Sequence, residues 1–442
     1  MFINRSKPDN PFFLNPDMPD KYFCGRQRET QDLVQEIKQK NSRTVILGPR
    51  RLGKTALLHH VAAQPEIKRH FNFIYVDLMK TATMEDFISE LNTAVEKADV
   101  LNHLKREVGE INRQFHANVK LLLGPAELEV GGERSGYLTQ VKKATEDIFD
   151  KLAKTSCPNF IVFDEFQKVS EYEGNEKGPF TGFLRSKIQF MPKCSFVFCG
   201  SDQHMLHSMF FNENEPFYKS SEMYPVSEIP KEEYRQFCSK ILKDYKMEIS
   251  DEACDMVYDL MLANTKDMQS TMHHVFKGLS EGDKLNKEKM KEIINGILDR
   301  NDTLYRTQYR MLVQSDPLKA KVLHCIAKEG AVDPLDAEMI RKYGFKDQEE
   351  EVQNILKSWT ASKVTDEPDE IEKAKEKTIL KSTSPGVYII NDRRFDLWMA
   401  KQIGTLQDRF KNPENTLKKI RNYENRILPQ KDNRFKKTFG LK

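Results

Sequence analysis

The segment from Gly48 to Thr55 has residue types and spacing that suit the binding of phosphate groups. Glycines let backbone N–H groups converge on phosphate oxygens, and the helix that follows supplies partial positive charge at its N-terminus. In this pattern Lys54 reaches the β- and γ-phosphates, and the hydroxyl of Thr55 ligates Mg²⁺. The spacing therefore predicts that a nucleoside triphosphate is bound by Gly48, Pro49, Arg50, Arg51, Leu52, Gly53, Lys54, Thr55 and Ala56.

Two carboxylates, Asp164 and Glu165, follow the apolar run Phe160–Phe163. Such a run predicts a fully buried strand, whose C-terminal end would deliver both acids to one place. Asp164 is expected to hold Mg²⁺ through water, and Glu165 is expected to polarise the water that attacks the γ-phosphate. A solvated turn at a strand end is the alternative, but the phosphate-binding loop favours the catalytic interpretation.

Ser201 follows another apolar run, Ser195–Cys199, and is a candidate for sensing the γ-phosphate or the attacking water, although a simple strand-ending turn explains it equally well. Arg185, on a predicted helix before this run, is a candidate cation for a neighbouring active site, but a surface ion pair is the commoner role. The spacing does not decide whether Arg50 and Arg51 add charge near phosphate or pack outward. The predicted catalytic residues are Lys54, Glu165 and Ser201, and the predicted Mg²⁺ ligands are Thr55 and Asp164.

The elements that must position these residues are those of an α/β fold. Between about residue 26 and residue 226, short apolar runs alternate with amphipathic stretches, which is typical of a sheet covered by helices. Because proline cannot donate a hydrogen bond to a neighbouring strand, the run that contains Pro225 is expected at a sheet edge. The five predicted strands are Thr44–Leu47, Phe73–Asp77, Phe160–Phe163, Ser195–Cys199 and Met223–Val226.

The rest of the chain is predicted to be mainly helical. Apolar residues recur at helical spacing through residues 229–300, and three more helices are predicted between residues 317 and 360. A charged linker, Asp366–Lys377, precedes an extended segment at Gly386–Ile390 and a short amphipathic helix. Three helices followed by a hairpin-like strand favour a winged helix. The stretch Leu121–Val130 is interpreted as a small hairpin or an arm around a turn.

Charge and composition narrow the class of protein. The net charge of +3 over 442 residues does not by itself demand nucleic acid or a membrane as a partner. Positive charge is concentrated in residues 408–442, which contain eleven Lys or Arg and four Asp or Glu. This tail is expected either to grip nucleic acid non-specifically or, as is commoner, to be a solvated or disordered terminus.

The remaining sequence features concern compartment, metal and base. Seven scattered cysteines without a C-x-x-C pair favour reduced thiols and do not suit zinc, so Mg²⁺ is the expected metal. No apolar run approaches the roughly 20 residues that span a bilayer, and we expect a soluble cytoplasmic protein without a membrane partner. The guanine-specific pattern N-K-x-D is not matched by Thr265–Asp267, which favours ATP over GTP.

These residues resemble a known family, the archaeal-type AAA-like ATPases, which are P-loop NTPases near the signal-transduction ATPases with numerous domains and the origin initiators. The loop looks like the family's G-P-R-R-x-G-K-T, and Gly25–Glu29 looks like its opening motif. Asp164–Gln167 looks like its second acidic motif, and Gly386–Trp398 is similar to its winged-helix ending.

The resemblance implies further properties. The sheet would be of additional-strand type, with the loop strand between the fifth and fourth strands. Arg26 would lie near the adenine, and the helices after Ile229 would act as a lid. Many members carry an arginine where this chain has Lys219, which suggests slow turnover. The implied domains are an extended N-terminal arm (1–22), a P-loop ATPase core (23–228), a helical lid (229–310), a winged-helix-like domain (317–403) and a basic tail (404–442).

Two functions remain open from the sequence. The first is an ATP-hydrolysing molecular switch whose nucleotide state controls the winged-helix domain and an unidentified protein partner. The second is a DNA-associated ATPase that binds nucleic acid through the winged helix or the basic tail. Three successive carboxylates, Glu349–Glu351, would repel DNA phosphate, although acids also stabilise a helix N-terminus. Either function is compatible with an oligomer.

Overall fold

The computed structural model describes residues 9–15, 18–39, 41–98, 102–122, 134–172, 178–360, 378–384 and 386–427. The chain divides into two compact units. Residues 16–227 belong to the first, which we call the sheet unit, and residues 1–15 and 228–442 belong to the second, which we call the helical unit.

A five-stranded parallel sheet lies at the centre of the sheet unit. The strands follow the order β2-β3-β4-β1-β5, so β1 lies between β5 and β4 as the resemblance implies, and β5 with its proline lies at an edge. All five predicted strands are confirmed, each to within one residue at either end. The strands are β1 (Arg43–Leu47), β2 (Asn72–Asp77), β3 (Asn159–Asp164), β4 (Cys194–Cys199) and β5 (Glu222–Pro225).

Helices flank this sheet and connect its strands. The first of them begins at Gln27. Of the predicted hairpin or arm, Leu121 and Leu122 end a long helix, and residues 123–130 lie outside the described residues. The helices are α1 (Gln27–Lys38), α2 (Lys54–Ala63), α3 (Pro65–Lys68), α4 (Met84–Lys97), α5 (Asn102–Leu122), α6 (Arg134–Ala153), α7 (Lys168–Glu171), α8 (Pro179–Gln189) and α9 (Gln203–Phe211).

The central strand β3 is apolar because both of its faces are covered. Successive side chains of a strand point to opposite faces, and all six residues of β3 are buried. Phe160 and Val162 belong to a core cluster with Leu58 of α2. Phe163 faces the other side, where its ring centroid lies 5.7 Å from that of Phe87 in α4. Packing on both faces therefore fixes the position of the strand end, where the two acids lie.

The helical unit begins with helices that the sequence predicted by period. A pair of two-residue parallel strands, β6 and β7, was not predicted, because two residues are too few to show a period. The elements are α10 (Lys231–Asp244), β6 (Glu248–Ile249), α11 (Asp251–Leu260), α12 (Thr265–Lys277), β7 (Lys284–Leu285), α13 (Lys287–Arg300) and α14 (Asp302–Val313).

Three further helices and an antiparallel two-stranded sheet follow, at the positions where the sequence predicted three helices and an extended segment. The predicted linker Asp366–Lys377 lies outside the described residues. Val332 pairs with Tyr388 across an isolated bridge, which ties the loop after α15 to the sheet. The elements are α15 (Pro317–Glu329), α16 (Ala337–Tyr343), α17 (Glu349–Thr360), β8 (Leu380–Ser384), β9 (Val387–Ile390) and α18 (Arg393–Gln402).

The first part of the basic tail is folded, so the expectation of a solvated terminus is wrong there. Helices α19 (Leu406–Lys411) and α20 (Asn415–Ile427) follow α18, and Phe410 is fully buried. Arg409 is also buried and donates to the carbonyl oxygen of Ala327 at 2.6 Å. Residues 428–442 lie outside the described residues.

The predicted N-terminal arm is described only in part. Residues 1–8, 16 and 17 lie outside the described residues. Phe12 is fully buried in the helical unit, and its ring centroid lies 6.2 Å from those of Phe237 and Phe276. Asp20–Tyr22 forms a short 3₁₀ turn. Within the described parts of the chain, no helix is long and apolar enough to cross a membrane.

Candidate active site

The predicted phosphate-binding loop connects β1 to the N-terminus of α2. Gly53 has a φ of 82°, in the left-handed region that glycine adopts at little cost, and α2 begins at the next residue, Lys54. A Cβ atom on Gly48 would lie 2.5 Å from the carbonyl oxygen of Val226, so only glycine fits where the loop leaves the sheet. Val226 in turn donates to the carbonyl of Leu47. The loop is therefore anchored to the chain that follows β5.

Lys54 is buried inside this loop. Its Nζ donates to the carbonyl oxygens of Gly48 at 2.7 Å and Pro49 at 3.0 Å. Burial lowers the pKa of Lys54, and the charges of Asp164 and Glu165 oppose that effect. Phosphate oxygens would favour the protonated amine for the same reason. The ammonium group is thus buried at a position where it requires an anionic partner.

Asp164, at the end of β3, receives hydrogen bonds on both carboxylate oxygens. Thr55 Oγ1 donates to Oδ2 at 2.9 Å, and the Tyr75 hydroxyl donates to the same oxygen. Cys199 Sγ and the backbone N–H of Glu165 donate to Oδ1, at 3.1 and 3.0 Å. Burial raises the pKa of Tyr75 and of Cys199, so both groups stay protonated as donors. The predicted metal ligands Thr55 and Asp164 are therefore in direct contact.

Tyr75 and Cys199 are site residues that the sequence did not predict. Each lies on a strand next to β3, Tyr75 on β2 and Cys199 on β4. Both residues are polar groups near the end of an apolar strand, which is a feature visible in the sequence. Their contact with Asp164 depends on the order of the strands, and the sequence pattern alone does not give that order.

Glu165 makes an equally tight set of contacts. Its Oε2 accepts from the Ser201 hydroxyl at 2.8 Å, from the Ser201 backbone N–H at 3.0 Å and from Gln167 Nε2 at 2.5 Å. Glu165 also has a φ of 56°, in the left-handed region that non-glycine residues seldom adopt, and such strain is concentrated at functional sites. The structure thus brings the predicted residues Ser201 and Glu165 together, and it adds Gln167.

Arg26 lies beside the loop, with a guanidinium group that is fully engaged by the protein. The side chain is 1% exposed, and Nη2 donates to the carbonyl oxygens of Leu52 at 2.8 Å and Ser227 at 2.9 Å. Nη1 pairs with Glu29 at 3.1 Å. These contacts make Arg26 a support of the loop, and its proximity to adenine stays a prediction.

The other predicted cations differ in their surroundings. Arg50 and Arg51 are half-buried and form no hydrogen bond or ion pair with another described residue. Arg50 is close enough to Lys54 to contribute to the lowering of its pKa, so it adds positive charge near the loop. Arg185 is not near these residues, because it lies on α8, which leads into the opposite edge of the sheet.

The residues present fit a magnesium ion held with a nucleotide. A threonine hydroxyl and a carboxylate are oxygen ligands of the kind that Mg²⁺ prefers. Among the described residues there is no group of three or more His, Cys, Asp and Glu that could hold a metal by itself. An ion at Thr55 and Asp164 would therefore complete its coordination with water and phosphate oxygens, as Mg²⁺ usually does.

Comparisons with known proteins agree with this geometry. The family model of an ATPase domain predominantly from Archaea matches residues 23–270, which is more than half of the chain. No curated protein matches the sequence. A Walker-type ATPase of Pyrococcus abyssi has a similar structure, with a TM-score of 0.52 at 15% identity over 88% of this chain and 99% of that one.

Two other solved structures are more distant. Cdc6p from Pyrobaculum aerophilum has a TM-score of 0.41 at 13% identity, over 91% of this chain and 99% of that one. The Orc1 protein of Aeropyrum pernix, solved in complex with DNA, has a TM-score of 0.44 at 16% identity, over 89% of this chain and 97% of that one. At such identities, the similarity to the Pyrococcus ATPase concerns the fold.

Proposed function

The chain belongs to the family of ATPase domains found predominantly in Archaea, and from that premise we propose that it is an ATP-driven molecular switch acting on a protein partner. It binds ATP and is an ATPase by that membership. The switch, the partner and the roles of single residues are the proposed part. One observation carries the proposal, namely the hydrogen bonds that Ser201 and Gln167 donate to the Glu165 carboxylate.

The proposed division of labour at the loop follows from the contacts. The backbone of Gly48–Ala56 and the Lys54 ammonium group bind the phosphates, and Arg50 adds positive charge to the surroundings. Thr55 and Asp164 would hold Mg²⁺, which would neutralise part of the charge on the phosphates when bound. Tyr75 holds the Asp164 carboxylate in the orientation that this role requires.

Glu165 is the proposed general base. To take a proton from water, its carboxylate must offer a lone pair toward that water. Three donors from Ser201 and Gln167 occupy one of its two oxygens, so these residues set the orientation in which the other oxygen can accept a proton from water. A movement of Ser201 would therefore directly change the orientation of the Glu165 carboxylate. This coupling suits a regulated and slow ATPase better than a fast one.

We place the output of the switch in the C-terminal part of the chain. Helices α15–α17, the hairpin β8–β9 and helix α18 have the order of elements of a winged helix, which is the role we propose for them. The carboxylates Glu349–Glu351 are exposed at the start of α17 and would repel DNA phosphate there. This charge supports a protein partner in preference to DNA.

A DNA-associated ATPase is the second candidate, because Lys and Arg exceed Asp and Glu in residues 408–442. Four cations of this segment, Arg409, Lys418, Lys419 and Arg421, already have acidic partners. Lys418 pairs with Glu414 at 3.1 Å, and Arg421 pairs with Glu228 at 2.5 Å. Such pairs reduce the charge that is available to phosphate, which leaves DNA as the weaker candidate.

The test measures phosphate release by the wild-type chain with and without duplex DNA, together with hydrogen exchange in ATP and in ADP. A switch predicts slow release that DNA does not change, and exchange in residues 228–427 that differs between the nucleotides. In ATP, the Glu165→Gln variant should keep the hydrogen-exchange profile of the ATP-bound chain. Stimulation of release by DNA would select the second candidate, and identical exchange in both nucleotides would exclude the switch. Mass measurements in the same samples report any oligomer.

A further inference from the structure

The edge of the sheet opposite the phosphate-binding loop carries three cations around one small pocket. Arg43 is the first residue of β1, Arg185 lies on α8 before β4, and Lys219 lies just before β5. Strands β4, β1 and β5 are neighbours and parallel, so their amino ends meet at the same edge. The three side chains line a pocket of about 150 Å³.

These cations lack acidic partners within the described part of the chain. Arg43 Nη2 donates to the carbonyl oxygen of Gln189 at 2.7 Å, and Arg185 Nη1 donates to the Oε1 of the same residue at 2.8 Å. The Nε atoms of both arginines are buried and have no acceptor among the described residues. The described residues that line the pocket include no carboxylate. Both side chains are half-buried, and cations withdrawn from water are usually paired, so two such arginines side by side require an explanation.

The two guanidinium groups also repel each other. Burial and then the neighbouring charge of Arg185 lower the pKa of Arg43. Glu36 and Glu222 line an adjacent groove with Arg43 and Lys219, but neither forms an ion pair with them. An anion in the pocket would remove the repulsion and supply acceptors to donors that have none. Guanidinium forks match the geometry of phosphate and carboxylate oxygens.

We propose that the pocket of Arg43, Arg185 and Lys219 binds a phosphate-sized oxyanion. Its volume is roughly that of five water molecules, which suits one phosphate group and is too small to enclose a whole nucleotide. The length of β1 separates it from the phosphate-binding loop by roughly 15 Å, so it is a second site and does not depend on the proposed switch. The anion is free inorganic phosphate or the phosphate group of a small phosphate ester.

The experiment uses the full chain with Lys54→Ala, so that the phosphate-binding loop contributes little to any signal. Calorimetry and thermal unfolding are measured in inorganic phosphate and in chloride at equal ionic strength. Phosphate should bind and raise the unfolding temperature, because a ligand of the folded state stabilises it. Adding Arg43→Gln or Arg185→Gln should weaken binding about tenfold each, since each removes a charge-assisted contact. Arg69→Gln, at an exposed arginine elsewhere in the sheet unit, is the matched control and should change nothing.

Glycerol phosphate in place of inorganic phosphate distinguishes the two sources, because only a pocket open to esters binds it comparably. The arginine variants also show by their unfolding transitions in chloride that they remain folded. Equal binding in the Lys54→Ala chain and in its Arg43→Gln and Arg185→Gln derivatives would overturn the proposal. A phosphate-dependent increase in mass would also overturn it, because the anion would then bridge two copies of the chain.

Discussion

At the carboxyl edge of the central sheet, two acids are held by hydrogen bonds from neutral donors, whereas at the amino edge two like charges meet without an acidic partner among the described residues. Asp164 and Glu165 receive hydrogen bonds from Thr55, Tyr75 and Ser201. Arg43 and Arg185 share only the neutral oxygens of Gln189 among the described residues. Both edges belong to the same strands, so the fold alone does not produce the difference.

The two edges differ in whether their charged groups are already held in place before a ligand binds. A catalytic edge must hold its groups in fixed positions before substrate arrives, which internal hydrogen bonds achieve. An edge whose charges are unpaired is less stable by itself and gains stability from a ligand of opposite charge. Substitutions at the first edge should therefore change turnover, and substitutions at the second should change the response to anions.

The largest effect is expected for Glu165→Gln, which keeps the shape of the side chain but removes the base. Turnover should fall by about 10²- to 10⁴-fold, the usual contribution of general acid–base catalysis, while ATP still binds. Phosphate release and equilibrium binding of ATP measure the two quantities. Glu66→Gln, at an exposed acid in the same unit, serves as the control. Wild-type turnover by the Glu165 variant would remove this residue from the mechanism.

Lys54→Ala should affect binding of the nucleotide, because Lys54 is the buried cation of the loop. Loss of one charge-assisted hydrogen bond corresponds to about 10- to 100-fold weaker binding. Titration with a fluorescent ATP analogue measures the affinity, and Lys68→Ala, an exposed lysine of α3, is the comparison. If both variants bound ATP like the wild type, the loop would not be the phosphate site.

The catalytic edge was largely predictable because its residues follow local rules. The run Phe160–Phe163 is apolar because both faces of β3 are buried, and the acids after it fall at the strand end. The loop is recognisable because glycine and lysine must occupy fixed positions. In contrast, Tyr75 bonds Asp164 across 89 residues of sequence, a contact that depends on strand order.

Other features were missed for different physical reasons. Helix α20 was hidden by the charge of the tail, although Leu417 and Ile420 are spaced by three residues and are both buried. The cations of the amino edge, Arg43, Arg185 and Lys219, are far apart in the sequence and meet only when β4, β1 and β5 pair. Local sequence patterns therefore predict sites whose residues are close in sequence. Sites whose residues are distant in sequence become visible only when the pairing of the strands is known.

A smaller effect is expected for Tyr75→Phe, which tests whether the internal hydrogen bonds of the catalytic edge matter. The variant keeps the ring but leaves Asp164 Oδ2 with Thr55 as its remaining side-chain donor. The carboxylate should then be less well oriented, and the Mg²⁺ concentration for half-maximal turnover should rise about tenfold, since residues that orient a metal ligand usually change metal affinity by about 10- to 100-fold. The measurement is a Mg²⁺ titration of turnover at saturating ATP. Tyr172→Phe, which removes a buried hydroxyl bonded to Thr81, is the matched variant and should leave the titration unchanged.

The smallest effect is expected for Arg185→Gln in phosphate-free buffer, and its sign distinguishes the two edges. The repulsion between the two guanidinium charges destabilises the folded chain, so removing one charge should stabilise it. The gain is a few tenths of a kcal/mol, because the groups are partly solvated and are screened by salt. Urea unfolding at low and at high salt measures it, and the gain should shrink as salt is added. A loss of stability that does not depend on salt would mean that the contact of Arg185 with Gln189 outweighs the repulsion.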